Sequence, residues 1–467
     1  MIPSLRSRLT GRRAARAAFR PGPIQRFVPV SVRLILGLAV LVALGTFLLS
    51  LPGMSTRPLG LSDILFTSVS AVTVTGLSVI VPSTDLTLLG QIVLLVLIQL
   101  GGVGFMFVIV LGMRVLGQRV SLIDRMALTT SLGLDRPAAI LRILRDTLIA
   151  MLVVEGVGAL LLYLYWTAAG IVPSGRTLFY AIFHAVSAFC NAGFDLFYGL
   201  PEYPNGIPND PITLILLGLL VLVGGLGFPV ISELVYRRRR KRLSLHARIT
   251  LVTVLILTLV GMAGLLISEF RRGGVLEGYP LIQRTTQAWF QSVVTRTAGF
   301  AGLNAFTEMS AESRLLIMGL MFIGGAPASM GGGITTGTFA VLVLAFVSVA
   351  RGLERVQAGD RTLSRMLTRR AVAVLLISLG LILAASWLIL LTHDLAFDTV
   401  LFEVISAFAT CGLSLGITGA LNPFGRLIIM VVMFWGRLGA LTIAIALLRR
   451  ERAQPGVQYP EEPVLVG

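Results

Sequence analysis

Eight stretches of this chain, near residues 34 to 52, 86 to 113, 147 to 168, 211 to 232, 249 to 268, 315 to 350, 371 to 392 and 427 to 448, are each long and apolar enough to cross a lipid bilayer as a helix. A hydrocarbon core about 30 Å thick asks for roughly 20 consecutive apolar residues at 1.5 Å each. Eight such stretches define a polytopic membrane protein and exclude an ordinary soluble one. The composition agrees, with 55% hydrophobic residues, 13% charged residues and a mean hydropathy of +0.89 over 467 residues.

A net charge of +17 invites a nucleic-acid reading, but the charges are placed otherwise. Most of the 39 basic residues fall in five patches: Arg6 to Arg33, Arg114 to Arg145, Arg237 to Arg242 extended by Arg248, Arg351 to Arg370, and Arg449 to Arg452. All five can face the cytoplasm together, as the positive-inside rule requires. The expectation is therefore a bacterial inner-membrane protein, in contact with lipid and not nucleic acid, with both termini inside. The Arg-rich N-terminus lacks a small-residue cleavage site and reads as a cytoplasmic tail. Arg57, Arg176, Arg271, Arg272, Arg284, Arg296, Arg314 and Arg426 fall in the alternate connections, and Arg437 stands inside an apolar stretch. Two cysteines and three scattered histidines offer no disulfide framework and no metal cluster.

Between paired spans lie four shorter segments that align without a gap: TSVSAVTVTGLS (Thr67 to Ser78), HAVSAFCNAGFD (His184 to Asp195), FQSVVTRTAGFA (Phe290 to Ala301) and EVISAFATCGLS (Glu403 to Ser414). Ser70, Ser187 and Ser406 stand six residues before Gly76, Gly193 and Gly412; the third copy has Val293 six before Gly299. The glycines are 117, 106 and 113 residues apart, so the chain reads as four units of span, loop motif, span. We expect an all-α fold of eight transmembrane helices and four re-entrant pore helices in a pseudo-fourfold arrangement. The units are 32–113 (pore loop 63–78), 114–236 (178–195), 237–350 (285–301) and 351–450 (398–414), flanked by tails 1–31 and 451–467.

Ten to twelve helical residues reach only ~15 to 18 Å, half the core. Non-helical backbone at that depth persists only where it is buried or lines a water-filled path, and four such loops around an axis make a pore. The half-helices end near the bilayer centre, where their negative poles favour a cation. With φ > 0 at Gly76, Gly193, Gly299 and Gly412, the carbonyls of Val74 and Thr75, Asn191 and Ala192, Thr297 and Ala298, and Thr410 and Cys411 can turn toward the axis and replace a monovalent cation's hydration shell. These positions carry no acidic ring, which argues against divalent ions.

At these residues the sequence resembles the membrane subunit of the Trk/Ktr/HKT superfamily of potassium transporters, from about Val32 to Arg449, and is most similar to the Ktr type. Two further marks carry the resemblance. GGAPASMGGGITTGTF (Gly324 to Phe339) resembles the intramembrane gating loop of the bacterial members, with Gly324, Gly325, Gly331, Gly332 and Gly333; Arg437 matches the arginine of the family's last span. The resemblance implies K⁺ as the transported ion, with Na⁺ coupled or activating. It also implies a homodimer on a cytosolic RCK-type regulatory ring that binds the nucleotide (ATP/ADP or NAD) in place of this chain. Val293 and the Thr410-Cys411-Gly412 ending are departures that leave ion preference open.

For Gly324 to Phe339 the alternative is a surface loop. Leu315 to Ala350 has no charged residue, and as one helix it would run ~54 Å, so a span broken at its centre fits better. Hydroxyls of Ser329, Thr335, Thr336 and Thr338 can satisfy the broken backbone. Arg437 lies too near mid-span to snorkel and should meet the pore, a carboxylate or carbonyls. Glu155 reads equally as a helix–helix hydrogen bond or a pathway residue. Cys190 and Cys411 read as small apolar filler, His184 and Glu403 as contacts to neighbouring loops, and Asp63 and Asp398 as caps of the pore helices. A secondary transporter of a small solute, coupled to Na⁺ or H⁺ and built from broken helices, is the alternative function. No G-x-S-x-G, H-E-x-x-H or Walker A pattern supports an enzyme.

Overall fold

The computed structural model describes residues 30–103, 140–172, 175–203, 206–235, 243–270, 273–303 and 306–439. Most of the basic N-tail, residues 104 to 139, the Arg237 to Arg242 run, Arg271, Arg272, and everything from residue 440 onward, including the end of the last apolar stretch, lie outside the described residues.

The described chain is helical apart from a hairpin of Gln357–Ala358 (β1) and Arg361–Thr362 (β2). Its helices recur in one order. First come α1 (Val30–Leu49), a short α2 (Leu61–Thr73) and α3 (Leu88–Val103). Next are α4 (Ile140–Ala169), a short α5 (Thr177–Phe189), and α6 (Pro211–Gly225) with α7 (Phe228–Val235). Then follow α8 (Leu245–Glu269), a short α9 (Leu281–Val294), and α10 (Ala311–Phe322) with α11 (Thr336–Ala350). Last are α12 (Arg365–Leu390), a short α13 (Phe397–Ala409) and α14 (Pro423–Leu438).

Local sequence sets several of these starts. The side chains of Asp210, Ser244, Ser310, Thr335, Ser364 and Asn422 each accept a hydrogen bond from a free N–H three residues on, and Pro211 and Pro423 occupy first helical positions.

Polarity is inverted relative to a water-soluble bundle. Val40, Phe47, Leu160, Leu164, Leu255, Leu259, Leu376 and Leu383 are exposed on the long helices, whereas Ser70, Ser187, Gln291 and Glu403 on the short helices are buried. An apolar surface of that extent is what a hydrocarbon solvent selects. Helical stretches Leu148–Ala169, Leu245–Glu269 and Arg365–Leu390 are each long and apolar enough to span alone.

Each short helix packs on its own repeat's first helix and on the preceding repeat's second: α3 on α5, α6 on α9, α10 on α13, and α14 on α2. The last contact closes the circle. Three of these repeats bring the second helix onto the short one through a glycine. A Cβ on Gly101, Gly224 or Gly436 would overlap the carbonyl oxygen of Val72, Phe189 or Phe408, the residue four before the motif glycine in each case.

Four sequence expectations change. The 211 to 232 stretch is not one straight span: it breaks between α6 and α7 with a bend of 104°, where Gly227 has φ +81°. Asp63 and Asp398 do not cap their helices, whose N-caps are Gly60 and Ala396. They pair instead with arginines of the preceding repeat, Arg426 at 2.6 Å and Arg314 at 3.4 Å. The short helices run to 13 or 14 residues, slightly longer than expected. The break in the third repeat ends at Thr335, so Thr336 to Phe339 already belong to α11.

Replacing Gly224 by Ala should force α6 off the Phe189 carbonyl at a cost of about 1–3 kcal/mol, the usual size for overpacking, and lower the melting temperature in detergent. Gly156→Ala, where nothing lies within 4 Å, should melt like the parent; equal melting of the two variants would contradict this packing.

Candidate functional site

The short helices end in a shared way. The backbone carbonyls of Ser70, Ser187 and Ser406 accept from the N–H of Thr75 (2.8 Å), Ala192 (2.8 Å) and Cys411 (2.9 Å). This closure forces the intervening Val74, Asn191 and Thr410 into left-handed backbone at φ 58°, 58° and 48°. For a β-branched Val or Thr that conformation is strained, by roughly 1–3 kcal/mol, and persists only where the surroundings over-determine it. The serine hydroxyls then hold the turn: Ser70 and Ser406 accept from the N–H of Gly76 and Gly412 at 3.1 Å, and Ser187 donates to the Phe194 carbonyl at 2.8 Å.

The four loops meet. A Cβ on Gly76 would overlap the carbonyl oxygen of Ala192, one on Gly193 that of Ala298, one on Gly299 that of Cys411, and one on Gly412 that of Thr75. Repeat one thus touches two, two touches three, three touches four and four touches one, through backbone alone. All four glycines have positive φ, between 63° and 95°, and remain partly exposed beside fully buried Thr75, Ala192, Ala298 and Cys411. Side chains lock neighbours together. The Asn191 carboxamide oxygen accepts from Thr297 Oγ1 at 2.5 Å while its nitrogen donates to the carbonyls of Ala188, Phe189 and Val221. Cys411 Sγ donates to the Thr295 carbonyl at 3.0 Å.

Repeat three departs from the rest. Val293 offers no hydroxyl, no residue before Gly299 is left-handed, and the N–H groups of Ala298 and Gly299 both fold onto the Val294 carbonyl, at 2.8 and 3.2 Å. Gln291 Oε1 takes over the holding role by accepting from Gly302 N–H at 3.0 Å. Arg296, in the connection after α9, is buried, and its Nη2 donates to Thr258 Oγ1 of α8 at 3.1 Å.

The expected gating residues also converge. The loop between α10 and α11 is strapped to the break between α6 and α7, with Ala326 N–H on the Gly225 carbonyl (3.0 Å) and Phe228 N–H on the Ala328 carbonyl (3.1 Å). Gly331 lies against the Thr297 side chain, and Gly332 N–H donates to Thr410 Oγ1 at 2.9 Å. The Thr336 N–H returns to the Gly325 carbonyl at 2.9 Å, and a Cβ on Gly324 would overlap the carbonyl of Gly332. Of the loop hydroxyls, Ser329 accepts from Gly331 N–H and Thr335 from Thr338 N–H, whereas the Thr336 hydroxyl has no partner.

Arg437 clamps this loop. Its Nη1 donates to the Met330 carbonyl, and its Nη2 to the carbonyls of Gly101 and, at 3.1 Å, Gly102 at the end of α3. A guanidinium surrounded by helix-terminal carbonyls is favourable at that negative pole. Nearby, Gln99 Nε2 donates to both Glu155 oxygens, at 2.9 and 3.2 Å, making Glu155 a bond between α3 and α4 beside Cys190. On the other flank of the motifs, His184 Nε2 meets Asp195 at 3.0 Å, and Glu403 accepts from Ser414 at 2.7 Å and from Thr418. The loops that follow the glycines are anchored this way.

The sequence matches the family model described as TrkH, cation transport protein, over residues 37–453. It is 34% identical to Ktr system potassium uptake protein B of Bacillus subtilis, over 95% of this chain and 97% of that one. It is 31% identical to the potassium/sodium uptake protein NtpJ of Enterococcus hirae, over 95% and 98%. The crystal structure of the potassium transporter TrkH from Vibrio parahaemolyticus superposes with a TM-score of 0.70 at 20% identity, over 92% of this chain and 87% of that one. With four loops closed into a ring of carbonyls, and a family match spanning nearly the whole sequence, the chain belongs to the TrkH family of cation transport proteins, which are transporters and not enzymes.

Proposed function

We propose that this chain takes up potassium across the bacterial inner membrane through the carbonyl ring. The observation that carries the reading is the cyclic apposition of Gly76, Gly193, Gly299 and Gly412 with the carbonyls of Ala192, Ala298, Cys411 and Thr75. Turned toward a common axis, these four carbonyls, with helix C-termini behind them, would replace the hydration of a monovalent cation at little reorganisation cost. Val74, Asn191, Thr297 and Thr410 supply the next layer of the filter. The relatives named for potassium uptake support K⁺ as the substrate, and the potassium/sodium relative supports a part for Na⁺. In this reading the eight apolar stretches are spans, the four short helices are re-entrant, and both termini are cytoplasmic.

The loop from Gly324 to Thr335 and Arg437 form the gate. Arg437 bonds the loop at Met330 to α3 at Gly101 and Gly102, so opening exchanges these carbonyl contacts for others. Its charge also opposes cation passage in a low-dielectric channel. The basic cytoplasmic loops, above all Arg237 to Arg242, dock a homodimer of this chain onto a cytosolic nucleotide-binding ring. The name of the Bacillus subtilis relative, protein B of a Ktr system, supports a further component.

Expression in a bacterial strain lacking its own potassium uptake should restore growth at low potassium. Gly193→Ser should reach the membrane yet admit more Na⁺ relative to K⁺, because its Cβ displaces the Ala298 carbonyl; unchanged ion discrimination in flux assays would refute the ring as filter.

Arg437→Ala, or removal of several residues from Gly331 to Gly333, should raise flux in liposomes lacking the partner while K⁺ preference is kept. A folded loop deletion that conducts no faster than the parent would remove the gating role.

A further inference from the structure

Arg296 is the only Lys or Arg within the four loop motifs. It stands two residues past the end of α9, where Thr73, Cys190 and Ala409 occupy the corresponding places of the other repeats, three residues before each glycine. Its residue is 6% exposed. Its Nη2 binds the Thr258 hydroxyl, which itself donates to the Val254 carbonyl at 2.8 Å, and its Nε has no partner. No carboxylate among the described residues lies within ion-pair distance of it. The side chain shares a crevice with Asn191, Gly225, Thr297 and Gly325, where the ring, the break after α6 and the start of the loop all meet.

A guanidinium stays charged in a protein, and an unpaired one in a membrane interior is costly unless something offsets it. The offset at hand is the carboxyl end of α9, which carries about half a negative charge. That interaction has a consequence for the axis. The motifs that end α2, α5 and α13 hold no Lys or Arg, while the pole of α9 is offset by a full positive charge within its own motif.

We propose that Arg296 is an affinity-determining residue of the cation path: it weakens binding at the ring enough for an ion to leave. Conduction requires binding that is favourable enough to enter yet weak enough to exit. A unit charge within about 10 Å at an effective dielectric near 20 changes cation binding on the order of tenfold. The proposal rests on reading the ring as the potassium path.

The test compares Arg296→Met, Arg296→Gln and Arg296→Lys in the full-length protein. Potassium binding is read by calorimetry in choline buffer, and potassium flux is read in liposomes at graded concentrations. The neutral variants should bind K⁺ about tenfold more tightly, half-saturate at correspondingly lower K⁺ and reach a lower maximal rate, while the Lys variant keeps the parent's values. Parent-like affinity in the neutral variants would overturn the proposal, as would a Lys variant that shifts as far as they do. Should the neutral variants fail to insert, Arg296→His decides. Tight binding at every pH, or tightening as the pH rises and the imidazole loses its charge, supports the proposal; parent-like affinity throughout overturns it. A parent whose K⁺ binding is untouched by Gly193→Ser marks a failure of the ring reading itself.

Discussion

The molecule depends on four places where a backbone carbonyl of one repeat occupies the space a side chain would fill in its neighbour. Because Gly76 seats the Ala192 carbonyl, Gly193 that of Ala298, Gly299 that of Cys411 and Gly412 that of Thr75, no loop can move without moving the next. The circle is repeated farther out by the packing of each second helix on the following short helix, and by the Asp63–Arg426 and Asp398–Arg314 pairs. This interlock explains how left-handed Val74 and Thr410 are tolerated. Both are fully buried, and the serine hydroxyls and neighbouring repeats leave them no relaxed alternative.

Repeat three departs furthest from the others, and in two ways. Repeat three lacks both the serine and the left-handed turn before its glycine, and its second span is interrupted between Phe322 and Thr336. The glycine-on-carbonyl contact that Gly101, Gly224 and Gly436 make elsewhere is replaced by the loop, with Gly331 on Thr297 and Gly332 on Thr410. A rigid helix contact has been exchanged for a segment held by a few hydrogen bonds and the Arg437 clamp. Segments of that kind open at lower free energy than packed helices. The ring and the loop therefore meet through the side chains of Thr297 and Thr410.

Much of this was legible in the sequence because it rests on short-range pattern. The Ser and Gly six residues apart mark a helix end and its turn; the uncharged 36-residue stretch from Leu315 to Ala350 is too long for one span; Arg437 stands near the middle of an apolar stretch. What escaped depends on distance in space. Nothing local relates Asp63 to Arg426, 363 residues on, so Asp63 was read as a cap by its position alone. Gly101, Gly224 and Gly436 do not share one spacing from their motif glycines, and their common role shows only when the carbonyls they face are known. The bend after α6 did leave a trace, in Gly224-Gly225-Leu226-Gly227 followed by Pro229, but the hydropathy of the stretch concealed it. Charge counting placed Arg296 in a connection without showing that it is buried there, at a helix terminus that can hold a positive charge inside.

The central claim is that the four apposed carbonyls bind the transported cation. A structure of crystals grown in rubidium or thallium in place of potassium tests it most directly, through the anomalous signal of the ion. The account predicts a peak on the axis within coordination distance of the carbonyl oxygens of Thr75, Ala192, Ala298 and Cys411. An empty ring under saturating ion, with the signal elsewhere in the protein, would contradict it.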